Sequence, residues 1–296
     1  MSIRTIIAAL SLEADSEPVL ERALQLASQH GARLTLGHAV EAIGDAAMWT
    51  AAGAVPPLPA LQREAEDHIG RMISSDRSQN AVEIVVSTGA PHAIIHGLVQ
   101  REQADLLVIG PGKPQTIRER LFGSTADRLV RLSPCPVLVV RNAHPARYEK
   151  IVVATDFSAL SGAAFRAAAD LAQGTAIDLV HIVDIPLQFE QALLKAGTPP
   201  DEIERYRRAR TTAARKQLQE FLADQHRISS PAHIRIVHGT PGDSLIALSR
   251  NGETDLLAIG LQGQNIVARS LLGSVAQRVL QSAGCDVLAV GAAELP

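Results

Sequence analysis

Gly260-Leu261-Gln262-Gly263, nine further residues, and then Gly273-Ser274 form the stretch of this chain best suited to chemistry. Glycines at these spacings let backbone N–H groups approach an anion closely, and Gly263 could take a positive φ without strain. Gly260 closes the apolar run Leu256 to Gly260, which reads as a strand. The loop therefore starts at the carboxyl edge of a sheet, where open α/β sheets bind ligands. Gly273-Ser274 directly precedes the helical run Val275 to Gln281. Ser274 is then a natural N-cap, and the helix end offers free N–H donors and a positive dipole to a phosphate. Far upstream, the β-branched run from Lys150 ends at Asp156. In a doubly wound sheet that first strand lies beside the one ending at Gly260, across the switch point. A carboxylate there can accept hydrogen bonds from a ribose hydroxyl or an adenine amine while staying clear of the phosphates. Taken singly, a glycine between strand and helix is ordinary punctuation, and an aspartate after a strand is an ordinary cap. Their combination is what points to a nucleotide.

The elements that must position these residues occur twice. Ala104-Asp105-Leu106-Leu107-Val108-Ile109-Gly110 matches Thr254-Asp255-Leu256-Leu257-Ala258-Ile259-Gly260 at an offset of 150 residues. The same offset carries Gly89-Ala90-Pro91 onto Gly239-Thr240-Pro241, Gly123-Ser124 onto Gly273-Ser274, Arg128 onto Arg278 and Cys135 onto Cys285. Upstream, Arg4 to Ala8 is aligned with Lys150 to Ala154 at an offset of 146, and His38 with His181 at 143. In the second copy, strands are expected at Lys150 to Thr155, Asp178 to Val183, His233 to Val237, Leu256 to Gly260 and Val287 to Val290. Helices are expected at Ser161 to Gln173, Asp201 to Asp224, Pro241 to Arg250 and Ser274 to Ser282. Such alternation implies parallel sheets covered on both faces. The expected fold is α/β: two tandem doubly wound, Rossmann-like domains, each a five-stranded parallel sheet flanked by helices. Their bounds are placed at 1–143 and 148–296, with Arg141 to Arg147 as linker. The segments Glu41 to Leu61, with Met48 and Trp49, and Ile185 to Pro200 read as surface loops in preference to a lid or a dimer contact.

Bulk properties narrow the field. A chain of 296 residues has room for two domains, and 46% hydrophobic with 20% charged residues is a soluble globular composition. Aromatic residues at 3% and a net charge of -3 argue against nucleic acid as a partner. The first apolar run, Ile6 to Leu10, is too short for a signal segment, and no run is long enough to span a bilayer. Cys135 and Cys285 sit in apolar segments and read as reduced, buried thiols. The expected location is cytoplasmic, away from membranes.

The set Gly-x2-Gly-x9-Gly-Ser after Asp-Leu-Leu-Ala-Ile-Gly, with Val-Ala-Thr-Asp-Phe-Ser far upstream, resembles the universal stress protein family in its tandem-domain form. The resemblance covers essentially the whole chain twice, including the Gly239 to Pro241 turn and the closing strand Cys285 to Val290. It implies ATP, with or without Mg, held mainly by the second copy through Ala154, Thr155, Asp156, Val183, Gly260, Gly263, Gly273, Ser274 and Val275. It also implies a stress-response or regulatory role with unidentified protein partners, and pairing of Val137 to Val140 with Val287 to Val290 as an intramolecular pseudo-dimer. A homodimer remains open. Copy one departs from the pattern: the alignment sets Leu10 opposite Asp156 and Lys113 opposite Gly263, so copy one is expected to be mainly structural. A nucleotide-independent scaffold and a slow ATP hydrolase stand as alternatives.

No catalytic or metal-binding residue is expected. The chain has no phosphate-loop lysine motif and no Gly-x-Ser-x-Gly elbow. His92 and His96 are four apart but lack the glutamate of a zinc-protease helix, so a solvated or capping pair is the expectation. His38 and His181 read as satisfied, partly buried histidines. The Arg205, Arg207, Arg208 and Arg210 cluster, beside Glu202 and Glu204, reads as a solvated helix face.

Overall fold

The computed structural model describes residues 3–12, 16–41, 58–74, 81–112, 122–141, 147–225, 230–263 and 272–291. Two compact units divide the chain, Met1–Arg147 and Tyr148–Pro296. The first contains β1 (Thr5–Ala9), α1 (Ser16–His30), β2 (Arg33–Val40), α2 (Leu58–Ser74), β3 (Val82–Thr88), α3 (Pro91–Glu102), β4 (Leu106–Ile109), α4 (Ser124–Leu132) and β5 (Val137–Val139). The second contains β6 (Ile151–Ala154), α5 (Ala159–Ala172), β7 (Ile177–Val183), α6 (Leu187–Lys195), α7 (Pro200–Ala223), β8 (Ala232–His238), α8 (Pro241–Arg250), β9 (Leu256–Gly260), α9 (Ser274–Ser282) and β10 (Asp286–Val290).

Strand order is β3-β2-β1-β4-β5 in the first unit and β8-β7-β6-β9-β10 in the second. All of these pairings are parallel. This is the doubly wound α/β architecture the alternating pattern implied. Helices cover both faces of such a sheet, so its central strands lose the alternation of a half-exposed strand. Accordingly Ile6, Ile7 and Ala8 are fully buried, as are Leu107 and Val108, Val153, and Leu257 and Ala258. The outer strands β3 and β8 are only half-buried.

The same polar device starts the sheet in both units. Asp105 Oδ2 accepts the N–H groups of Arg4 (2.8 Å) and Thr5 (2.9 Å). Asp255 Oδ2 accepts those of Glu149 (3.1 Å) and Lys150 (3.0 Å). Each carboxylate satisfies donors that the first residues of a strand would leave open. In the second unit Tyr148 Oη also donates to the buried Asp286 at 2.7 Å.

Three sequence expectations require correction. Ile185 to Pro200 is not a loop throughout, because α6 occupies Leu187–Lys195. Gly197, at φ +85°, ends it with a bond from Gly197 N–H to Leu194 O and another from Thr198 N–H to Leu193 O, both 3.0 Å. This is a glycine-terminated helix end, and Lys195-Ala196-Gly197 carried its signature in the sequence. In the corresponding segment of the first unit, Leu58 to Leu61 belong to α2, while Met48 and Trp49 lie outside the described residues.

The second correction concerns register. Ile6 pairs with Leu106, and Ile151 with Leu256. With β4 and β9 offset by 150 residues, β1 and β6 are offset by 145 rather than 146. The backbone agrees: Leu10 N–H donates to Gly37 O and Thr155 N–H to Val180 O, both at 2.9 Å, and Leu12 and Phe157 have matching φ of 61° and 66°. Ser11, not Leu10, therefore stands opposite Asp156. The third correction, at the start of α9, belongs to the site below. Among the described residues, no helix is long and apolar enough to cross a membrane.

Tyr148→Phe removes a donor to Asp286, a residue only 1% exposed. Such a loss lowers stability by about 1 to 3 kcal/mol. Chemical denaturation of the full chain should show an earlier transition in the variant.

Candidate functional site

In the second unit β6 ends at Ala154, and the chain then turns over the sheet edge through a set of local bonds. Thr155 is buried, with Oγ1 2.9 Å from Ser161 Oγ, and it accepts the Phe157 N–H at 3.0 Å. Asp156 Oδ1 accepts the Ser158 N–H at 3.0 Å. Ser158 Oγ in turn caps α5 by accepting the Ser161 N–H at 3.2 Å. These bonds hold Phe157 at φ 66°, a region that non-glycine residues occupy rarely. Its ring lies against His181, with centroids 4.4 Å apart, and edge-on to Phe221 at 6.1 Å. His181 Nδ1 is 2.9 Å from Thr155 O. A carbonyl only accepts, so Nδ1 carries the proton. His38 repeats this with Leu10 O at 2.8 Å. Both histidines are thus satisfied and partly buried, as expected from sequence.

The glycines divide into distinct roles. At Gly260 an added Cβ would stand 3.0 Å from the Leu160 carbonyl carbon and Cβ, and 3.2 Å from Ser161 N. This glycine lets the first turn of α5 pack directly on the end of β9, and the contact is with backbone. At Gly263 an added Cβ would stand 3.0 Å from Asp156 Oδ2. The structure thus brings together two residues 107 positions apart in the sequence, the carboxylate after β6 and the glycine loop after β9. Gly263 does not have a positive φ, so the freedom a glycine offers there is not used for the backbone. Its missing side chain leaves room for the aspartate instead.

The loop closes through Gly273 N–H to Leu261 O at 2.8 Å. Gly273, rather than Ser274, is the N-cap of α9, with ψ 149° and no side-chain capping bond. Its carbonyl accepts the Gln277 N–H at 2.9 Å, which places Ser274 inside the helix as the first residue. The N–H groups of Ser274, Val275 and Ala276 precede that first intrahelical bond and are the natural donors for an anion. Ser274 is exposed and Val275 half-buried. Val183 is buried at the carboxyl end of β7, its carbonyl accepting the Gly239 N–H at 3.2 Å. Ala154 is half-buried at the end of β6. Gln264 and Asn265 lie outside the described residues.

The charged clusters are peripheral. Arg205 pairs with Asp201 and Glu202, and Arg208 with Glu204 at 3.1 Å, all on the exposed face of α7. Arg278 of α9 pairs with Asp243 of α8. Its counterpart Arg128 instead lies 3.4 Å from His92 Nε2. The N-cap of α3 is Ala90, which makes no side-chain capping bond.

The first unit holds a cleft of about 750 Å³ at the carboxyl ends of β1, β2 and β4, bounded also by the start of α4. Ser11, Glu41 and Ser124 are among its lining residues. Sequence reasoning overlooked this cleft, and the slipped alignment hid Ser11. The signal that could have exposed it is the pair Ser16 and Ser161. Ser16 Oγ lies 2.9 Å from Ser11 Oγ, as Ser161 Oγ does from Thr155 Oγ1, and the two serines are separated by the correct offset of 145.

Two tandem parallel α/β units, each with a switch point at the carboxyl edge of its sheet, define the class of doubly wound α/β proteins. The family model described as Universal stress protein family matches residues 2–141 and 147–291. The chain is 28% identical over 274 residues to the universal stress protein Rv2623 of Mycobacterium tuberculosis, covering 86% of this chain and 85% of that one. It is 24% identical over 299 residues to a universal stress protein of Mycolicibacterium smegmatis, covering 96% of each. A universal stress protein structure from Archaeoglobus fulgidus superposes with a TM-score of 0.68 at 17% identity, covering 97% of each chain. This chain belongs to the universal stress protein family, with two of its domains in tandem.

The two loop glycines should respond differently to alanine. Gly260→Ala pushes a methyl against the Leu160 backbone and should destabilise the fold by about 1 to 3 kcal/mol. Among the described residues, Gly263→Ala meets just the Asp156 carboxylate, and it should change stability by less than about 1 kcal/mol. Denaturant unfolding of both variants without added ligand checks this ranking.

Proposed function

We propose that this protein binds ATP, with or without Mg, mainly through its second unit, and that occupancy alters its conformation or its choice of protein partner in a stress response. The observation that carries this reading is the Asp156 carboxylate lying against Gly263, beside a loop that ends at a helix start with no side-chain cap. Family membership supports it. Asp156 accepts from a ribose hydroxyl or the adenine amine. Val183, with the chain at Ala154 and Thr155, forms the apolar and backbone floor for the base. Gly260, Gly263 and Gly273 keep the loop low, and the N–H groups at Ser274 and Val275 meet the phosphates. Nothing in this arrangement requires bond cleavage, so binding is the function and catalysis is not invoked.

The test is titration of ATP and of inorganic triphosphate against wild type, Asp156→Ala and Asp156→Asn. The asparagine variant retains an oxygen for the Ser158 turn. One ATP per chain is expected, with stabilisation of about 2.7 kcal/mol at 100 times the dissociation constant. Loss of a hydrogen bond to a charged group should weaken ATP by roughly tenfold to a hundredfold in both variants, leaving triphosphate unaffected. An unchanged ATP shift in both variants, reproduced by triphosphate alone, would mean an anion nest without nucleoside recognition.

A further inference from the structure

In the second unit α6 and the start of α7 form a corner that the sheet framework does not need. Matching buried pairs seat the crossover helix in each unit, Ala65 with Ile69 in α2 and Ala214 with Leu218 in α7. α2 begins seven residues before Ala65, whereas α7 begins fourteen before Ala214, so α7 is two turns longer at its start. Thr211 Oγ1 lies 3.2 Å from His238 Nε2 at the end of β8, which marks the level of the sheet's carboxyl edge. The turns before Thr211 therefore reach past that edge. Of the described residues in those turns, Ile203 is the buried one.

The extension carries apolar and cationic side chains on its surface. Of the four large apolar side chains exposed among the described residues, three belong to α6 and α7: Phe189, Leu194 and Tyr206. The Phe189 and Tyr206 rings lie together, with centroids 5.8 Å apart. Helical period places Ala209, Arg210 and Ala213 on the face of Tyr206, three, four and seven residues on, and all three are exposed. From Arg205 to Lys216 the helix has six basic residues and no acidic one. Arg205 is held by Asp201 and Glu202, while Arg207 and Arg208 share Glu204. Among the described residues Arg210 has no ion pair, so the guanidinium on the Tyr206 face is available to a carboxylate from outside.

An exposed ring pair beside an available arginine has the composition of an interface hot spot. We propose that this corner docks an acidic segment of a partner protein, with an apolar side chain seated on Phe189 and Tyr206 and a carboxylate taken by Arg210. A bilayer fits less well, because Asp201, Glu202 and Glu204 stand in the same turns and oppose an anionic surface. The proposal gives a surface to the protein partner of the function proposed above and rests on that half of it alone. It uses no residue of the nucleotide site, and its test contains no ATP.

The probe is the fluorescein-labelled peptide Asp-Glu-Leu-Glu-Asp-Phe-Glu-Glu-Leu-Asp, followed by anisotropy against the full chain. Binding is expected, and salt at about 0.5 M should weaken it because the attracting charges are exposed. Arg210→Ala and Tyr206→Ala should each weaken it about tenfold. Arg215→Ala removes an equal charge on the side of the helix away from Tyr206 and should change it less than about twofold. All three side chains are exposed, and circular dichroism checks that each variant folds. The proposal is overturned if the peptide shows no binding at about 1 mM, or if a counterpart with lysine at every acidic position binds equally. It is overturned too if Arg215→Ala weakens binding as much as Arg210→Ala, since diffuse charge would then explain it. Cosedimentation with phosphatidylglycerol vesicles that Tyr206→Ala abolishes would make the corner a membrane contact instead. Absence of peptide binding beside intact ATP binding sinks this proposal alone, and absence of ATP binding leaves it standing.

Discussion

The site in the second unit depends on one close approach, that of the first turn of α5 to the end of β9 across Gly260. Backbone atoms of Leu160 and Ser161 occupy the space that any side chain at position 260 would need. That contact fixes the start of α5, and with it the Ser158 cap, the turn held by Asp156 and the strained Phe157. With α5 seated there, the Asp156 carboxylate reaches over the loop as far as Gly263. A glycine that strand and helix propensities treat as punctuation thus sets the distance between two distant parts of the chain.

The rigidity behind this contact comes from the sheets. Parallel strands buried on both faces remove their apolar side chains from water almost completely, and their ladders satisfy the main chain. What the ladders leave open at the strand starts is taken up by Asp105 in one unit and Asp255 in the other. Variation is then tolerated at the opposite, carboxyl edge, where loops carry function. There the units differ in Ser11 against Asp156, in Gly112 against Gln262, and in the partner of the conserved-in-both-copies arginine: His92 for Arg128, Asp243 for Arg278. One repeated framework therefore presents two chemically different edges.

Much of this was legible in the residues. Apolar runs of strand length between Ala-rich helical stretches implied a parallel, doubly wound sheet, and the 150-residue repeat implied two of them. The start of α8 at Pro241 agrees with the expected bound, whereas α7 begins one residue before the expected Asp201, at Pro200. The satisfied histidines at matching strand positions were also foreseeable, because an imidazole inside an apolar strand needs a nearby carbonyl.

What the sequence determined by itself was the kind and order of the elements, since hydrophobic period and helix punctuation are local properties of the chain. The tertiary structure alone decided which residues face one another across the sheet edge. In a strand apolar on both faces, a slip of one residue changes little in the pattern, so Leu10 and Ser11 could not be told apart as the counterpart of Asp156. The hydrogen-bonded register with β2 and β4 resolves them. In the same way, Gly273 rather than Ser274 caps α9 because the loop is tied to Leu261, and Gly263 is needed for the room it leaves Asp156 rather than for its own φ. Each is a matter of distance between segments far apart in sequence, which local propensity does not encode.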